Sequence, residues 1–357
     1  MWGPALDISA FAGAAAVALT FVALAPWLAP NDEGGAWAFL VFVIGIDVAH
    51  VYSTLFRTYF DLSELKRRPR LYALAPLGAL LVLVGVSVLA PERLWTVLAY
   101  LALLHFIRQQ VGWVAIYRAR AVSAGLPYHV RERILDDLTV YAATLYPVLH
   151  WHAHLPRRFE WFVPGDFVAV ADGAWLQGAF IGYLALLVLY CVNAVRRAFR
   201  HRSIELGKHL VVTSTALTWY VGIVATNGDF TFTAANVVTH GAPYFVLLFM
   251  YAKRRALVSA GLVRSIVGKG VLGFLAVLVA LAFLEELLWD RLVWHTHEAL
   301  FGFLPPFELS EIGLKLVVPL LMVPQATHYI LDAVLWRRGE TSAAQAHAMG
   351  FARSTLQ

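Results

Sequence analysis

The chain has 357 residues, of which 60% are hydrophobic and only 14% charged, with a mean hydropathy of +0.67. A soluble domain is nearer half apolar and a quarter charged, so composition excludes an ordinary water-soluble fold. The net charge of +5 does not indicate nucleic acid, because the basic residues lie between apolar runs instead of forming one basic patch.

Ten apolar segments follow one another along the chain: 5–29, 36–61, 71–90, 93–117, 131–150, 173–196, 208–226, 230–252, 267–289 and 312–336. Each is close to the roughly 20 residues needed to cross about 30 Å of hydrocarbon. Segments of this length predict helices, since only helices and closed barrels satisfy the backbone in lipid; the short alternating segments of a barrel are absent. The first run starts almost at Met1 without a basic leader and reads as a retained helix, not a cleaved signal peptide. The fold class is thus an all-α polytopic membrane protein of about ten transmembrane helices. It forms a single helical domain over residues 1–357 with a short polar tail at 337–357.

Charge sets the orientation. Every even-numbered segment is followed by a basic cluster: Lys66 to Arg70, Arg118 to Arg133, Arg196 to Lys208, Lys253 to Lys269, and Arg337 with Arg338. The alternate connections are poor in Lys and Arg, and several are acidic. The positive-inside rule places both termini in the cytoplasm, in a bacterial inner (plasma) membrane. Two outer connections, 150–171 and 290–311, are long and aromatic, as expected at a membrane interface.

Four histidines lie within the even-numbered segments: His50, His105, His240 and His328. Ionisable side chains at such depth are costly and usually functional. Counted from the outer ends, they lie about 14, 12, 10 and 16 residues in, a spread of about 9 Å at the rise of an α-helix. Each has a polar neighbour three or four residues away, on the same helical face: Asp47 for His50, Gln109 for His105, Asn236 for His240 and Asp332 for His328. Thr54 extends the first face, Tyr244 the third and Gln325 the fourth. Pro243 and Pro324 each free a carbonyl one turn earlier, at Thr239 and Leu320.

Imidazoles of this kind suit Zn, Cu, Fe or Ni, and added carboxylates favour Fe or Mn. The expected site has His50, His105, His240 and His328 as ligands of iron, mononuclear or dinuclear. Asp47, Gln109, Asn236 and Asp332 are expected as hydrogen-bonding partners of the ligands or as additional ligands. Dioxygen is the implied co-substrate and a lipid-soluble molecule from the bilayer the implied substrate. Three alternatives stay open: hydrogen-bonding histidines between helices, axial haem ligation, and a transporter or proton pathway through the same residues.

Other polar residues carry less. His150, His152 and His154 form an H-x-H-x-H run whose spacing suits a ligand cluster only in extended structure; of these His150 is kept as a candidate. Asp136 and Asp137 are expected to pair with Arg131 or Arg133, with Asp137 a further candidate. Tyr244 is another, one turn beyond His240. Arg108 is expected to snorkel or to pair with Asp47 or Asp332. At least one of Glu285 and Glu286 is expected at the interface. The lone Cys191 has no disulfide partner.

The segment Val323-Pro324-Gln325-Ala326-Thr327-His328-Tyr329-Ile330-Leu331-Asp332 resembles the closing helix of the Brp/Blh-like membrane carotene dioxygenases. Leu104-His105-Phe106, His240 with its aromatic flank, and His50 after Gly45 are similar to that family's other histidine segments. Two motifs depart from the pattern: Asp47 precedes His50 instead of following it, and Gln325 follows Pro324 where the family has its histidine. The resemblance implies iron held by histidines from four helices, oxygen chemistry and a long isoprenoid or carotenoid substrate.

Overall fold

The computed structural model describes residues 3–32, 34–257 and 261–335. The expected cytoplasmic tail, 337–357, lies outside the described residues, as do Arg337 and Arg338. Among the described residues the regular structure is entirely helical.

Among the described residues, helices of unequal length overlap each of the ten apolar segments, but not all of the ten expected membrane spans have spanning character. The helices are α1 (Pro4–Leu28), α2 (Gly35–Arg57), α3 (Pro69–Leu89), α4 (Leu94–Ser123), α5 (Val130–Ala153) and α6 (Ala174–His201). Next come α7 (Leu206–Trp219, continued as π-helix over Tyr220–Ala225), α8 (Asp229–Ala256), α9 (Gly270–Trp294) and α10 (Glu311–Leu335). Seven of these are long and apolar enough to cross a membrane: α1, α2, α3, α6, α8, α9 and α10. That set is compatible with an integral multi-pass membrane protein. The helices α4, α5 and α7 fall outside it because Arg108, Gln109 and Gln110, Asp136 and Asp137, or Lys208 and His209 interrupt their apolar runs.

The helices depart from ideal α-geometry where residue type allows. In α2, Phe39–Val48 is π-helical and Thr54–Arg57 is a 3₁₀ turn. Gly45 sits in the π stretch, where an added Cβ would lie 3.1 Å from the Leu40 carbonyl oxygen. In α10 the regular helix stops at Met322 and restarts at Val323. Pro324 has no N–H to donate to Leu320, so the break falls where the sequence predicts it.

The chain divides into two compact units. One comprises Met1–Glu33 and Ala99–Pro243, the other Gly34–Leu98 and Tyr244–Gln357. In the first unit, α5, α6 and α7 share a tyrosine ladder: Tyr146 stacks on Tyr183 at 5.1 Å, and Tyr183 lies parallel to Tyr220 at 6.3 Å. The connection after α5 folds back on Trp151 through Phe159 and Phe167, at ring distances of 4.7 Å. Asp166 pins this connection by accepting the N–H groups of Trp161 and Phe162 at 3.0 and 2.7 Å. A buried ion network closes one end of the unit. Lys208, 1% exposed, bonds Tyr128, Asp136 and Glu205, and Arg197 bonds Glu132 and Glu205. One face of α6 remains apolar and exposed, through Ile181, Val188, Val192 and Val195, as a lipid-facing helix requires.

In the second unit, α3 and the second half of α10 bury Tyr72, Ala75, Leu331 and Leu335 against each other. The ring of Phe56 on α2 packs on Phe274 of α9 at 4.7 Å. Asp61 caps the short helix Leu62–Arg67 and receives Arg255 Nε at 2.9 Å. Contrary to expectation, Glu285 and Glu286 are both buried, at 5% and 9% exposure. Glu285 accepts a hydrogen bond from Tyr52 at 2.5 Å, so its polar demand is met by α2 instead of by interfacial water.

Candidate metal centre

Each unit contains one close pair of the predicted histidines. In the second unit His50 (α2) and His328 (α10) are both 2% exposed, with ring centroids 5.1 Å apart and planes at 82°. In the first unit His105 (α4) and His240 (α8) are 7% and 1% exposed, with centroids 5.1 Å apart and planes at 80°.

The two pairs are held differently. Beside His328, Thr54 Oγ1 lies 2.8 Å from Nδ1 and 3.0 Å from the Tyr244 hydroxyl. That hydroxyl in turn donates to Asp332 Oδ1 at 2.6 Å. The expected direct pairing of Asp332 with His328 is therefore replaced by a chain through Tyr244 and Thr54. The direct separation, 3.9 Å, is too long for a hydrogen bond. Asp47 likewise stands 3.8 Å from His50 Nδ1, an ion-pair distance.

Beside His240, Phe106 stacks face to face at 3.5 Å and 6°, and Trp161 meets the edge of Phe106 at 5.0 Å. Gln109 donates to the His240 main-chain carbonyl at 2.8 Å, so its amide nitrogen anchors backbone and is not a ligand. Asn236 bonds the Phe232 carbonyl on its own helix at 2.9 Å. The side-chain oxygens of Gln109 and Asn236 are buried without hydrogen-bond partners among the described residues. Asn236 faces a tight helix crossing. An added Cβ at Gly222 of α7 would lie 2.6 Å from Ala235 Cβ and 2.8 Å from Asn236 Nδ2, so only glycine permits this approach.

The spacing of each pair is compatible with two adjacent metal ligands. An imidazole nitrogen binds such ions at about 2.1 Å, which puts the ring centroid roughly 3.2 Å from the ion. Two ligands separated by about 90–110° then have centroids roughly 4.6–5.3 Å apart, and both pairs, at 5.1 Å, fall in that range. Buried imidazoles, accompanied in the first unit by the unpartnered amide oxygens of Gln109 and Asn236, offer the nitrogen and oxygen donors that such ions prefer.

The remaining candidates lie elsewhere. Asp137, partly exposed, is paired with the buried Arg118 of α4 at 2.8 Å, away from the histidines. Its partner is neither Arg131 nor Arg133. Asp136, fully buried, pairs with Lys208 at 3.2 Å. The H-x-H-x-H run is helical instead of extended. His150 and His154, one turn apart, stack on each other at 4.0 Å, while His152 turns to Tyr100 at 2.9 Å. Arg157 Nη1 stands 3.5 Å from His150 Nε2, a cation where a metal site needs a free lone pair. Arg108 is exposed and bonds Tyr141 at 3.2 Å. Tyr244 belongs with His328 and Asp332 in the second unit, not with Asn236 and His240. Two contributors had only faint sequence signals: Thr54, one turn from His50, and Phe106, adjacent to His105.

No protein-family model, curated protein or solved structure matches this chain.

Proposed function

We propose that the protein is a membrane-embedded non-haem iron oxygenase or oxidase acting on a lipid-soluble, isoprenoid-like substrate. It would reside in a bacterial inner membrane with both termini in the cytoplasm, as the charge pattern implies. His50, His105, His240 and His328 are its iron ligands. The observation that carries the reading is the recurrence, once in each unit, of two buried histidines at a ring spacing suited to adjacent ligands. Bound iron would supply dioxygen affinity and redox chemistry that these side chains lack. The protein's own groups do the rest. The Asp332–Tyr244–Thr54 chain holds His328, Phe106 fixes the plane of His240, and the apolar helix faces keep water from the imidazoles.

The test is elemental analysis of the full chain purified in detergent from iron-replete cells. One or two irons per chain, removed by chelation together with oxygen consumption, is the expected result. Active protein without stoichiometric iron, manganese or zinc overturns the proposal, and a Soret band would reassign the histidines to haem.

Buried Glu285 and Glu286 in α9 favour a second reading, since buried carboxylates in membrane helices commonly mark proton pathways. On that reading the purified protein carries no metal and conducts protons in liposomes, with conduction lost in Glu285→Gln.

A further inference from the structure

We infer that Asp332, Tyr244 and Thr54 form a one-way hydrogen-bond relay that fixes the proton of His328 on Nδ1 and so presents Nε2 as its lone-pair nitrogen. Thr54 is the positioning residue. The inference deepens the iron reading and rests on it only in the final step, where Nε2 meets a metal.

The direction follows from counting protons. With Asp332 as its carboxylate, the single proton of the Tyr244 hydroxyl goes to Asp332 Oδ1 at 2.6 Å. Toward Thr54, 3.0 Å away, the Tyr244 oxygen can then only accept, so Thr54 donates. A threonine hydroxyl also has a single proton. Toward His328 Nδ1, at 2.8 Å, Thr54 can therefore only accept, and Nδ1 must carry a hydrogen. A neutral imidazole protonated at Nδ1 has its lone pair on Nε2.

Burial keeps water from resetting the order. Thr54, Tyr244 and His328 are 4%, 2% and 2% exposed. Most helical threonines that hydrogen-bond through the hydroxyl act locally, although Thr215 reaches Gln110 on α4. Thr20, Thr139, Thr144, Thr218 and Thr239 each donate to the carbonyl four residues back on their own helix, the ordinary local solution. For Thr54 that carbonyl is His50's, which Ser53 already engages at 2.6 Å. The Thr54 hydroxyl instead has two partners on other helices. The 3₁₀ turn that begins at Thr54 is the local departure that accompanies this.

The experiment uses the full chain in detergent, labelled with ¹⁵N-histidine and stripped of metal by chelation, with His328 assigned by loss of its signal in His328→Gln. Wild type and Thr54→Ser should show the Nδ1–H tautomer at His328. Thr54→Val, nearly the same shape, should lose it. Tyr244→Phe should also disturb it while leaving Thr54 in place, because Thr54 can then donate to Nδ1; this variant serves if Thr54→Val does not fold. On reloading, Thr54→Val should bind iron about 10–100-fold more weakly, the usual cost of losing a partner of a metal-bound histidine, and Thr54→Ser should restore binding. An Nε2–H tautomer in wild type, or an unchanged tautomer in both Thr54→Val and Tyr244→Phe, overturns the relay. The Nδ1–H tautomer in a wild-type protein that takes up no iron leaves the relay standing and overturns the iron reading alone.

Discussion

The two histidine pairs have the same spacing and nearly the same interplanar angle, yet they are built from opposite materials. His328 is oriented by hydrogen bonds passed through Thr54 and Tyr244 to Asp332. His240 is oriented by a stacked phenyl ring, with Gln109 holding its backbone. A hydrogen-bond relay selects which nitrogen carries the proton. A stacked ring fixes the plane. The difference teaches that the same ring spacing is built by a hydrogen-bond relay in one unit and by aromatic stacking in the other.

The largest way to break this comparison is to remove the ring. Phe106 is 5% exposed and packs on both His240 and Trp161. Phe106→Ala should lower stability by about 4 kcal/mol, the usual loss for a buried phenylalanine. Tyr244→Phe keeps the ring but takes a hydrogen-bond partner from both Asp332 and Thr54, so it should cost about 1–3 kcal/mol. Reversible denaturation in mixed micelles measures both. If the two variants were equally stable, the claim that one pair is held by packing and the other by hydrogen bonding would fail.

The sequence made the helices and the four histidines legible, because apolar run length and depth are properties of single segments. Partner choice was less legible. Spacing of three or four residues correctly put Asp332 on the face of His328, but the bridging groups come from Thr54 on α2 and Tyr244 on α8. No local count reveals which helices share an interface. The same limit explains Asp137, which finds Arg118 on α4 instead of an arginine of its own helix. It also explains Glu285, whose burial depends on Tyr52. In α2 the π-helical stretch Phe39–Val48 adds a second obstacle, since a count of 3.6 residues per turn drifts across it.

Away from the histidines, each unit is tied by a buried ion pair beside a short connection: Asp61 with Arg255 in one, Glu205 with Lys208 and Arg197 in the other. Burial alone would raise the Asp61 carboxyl, but hydrogen bonds from Arg255 and Ser63, the Arg255 charge and the Glu64 N–H outweigh it and hold it below its ordinary value of 3.8. Glu205 is lowered in the same way: burial raises it, and Lys208, Tyr128 and Arg197 outweigh that. A carboxyl whose folded pKa is depressed contributes stability above its unfolded pKa and loses it as pH falls through the folded one. Asp61→Asn should therefore cost about 3 kcal/mol at neutral pH, by leaving Arg255 buried without its counter-charge. Its deficit relative to wild type should shrink below about pH 4. A deficit that did not change with pH would show that packing, not charge, sets the role of Asp61.

The smallest contrast concerns how the histidine-bearing helices begin. The helix α8 is capped from a distance: Asp32, on the connection after α1, accepts the N–H groups of Asp229 and Phe230 at 2.5 and 3.1 Å. The helix α10 is capped locally by Ser310, which accepts the Gly313 N–H at 3.2 Å. A carboxylate with two donors at a helix N-terminus gains from both hydrogen bonding and the helix dipole, whereas a serine supplies one neutral bond. Asp32→Ala should cost about 2 kcal/mol and Ser310→Ala about 0.5–1 kcal/mol, within the range for lost caps. The distant cap also joins two chain segments of the first unit, so Asp32→Ala should speed amide exchange at Asp229 and Phe230 and loosen the α1–α2 connection together. Ser310→Ala should affect only the first turn of α10. Equal, purely local effects from both substitutions would mean that Asp32 acts as an ordinary cap and does not tie those segments together.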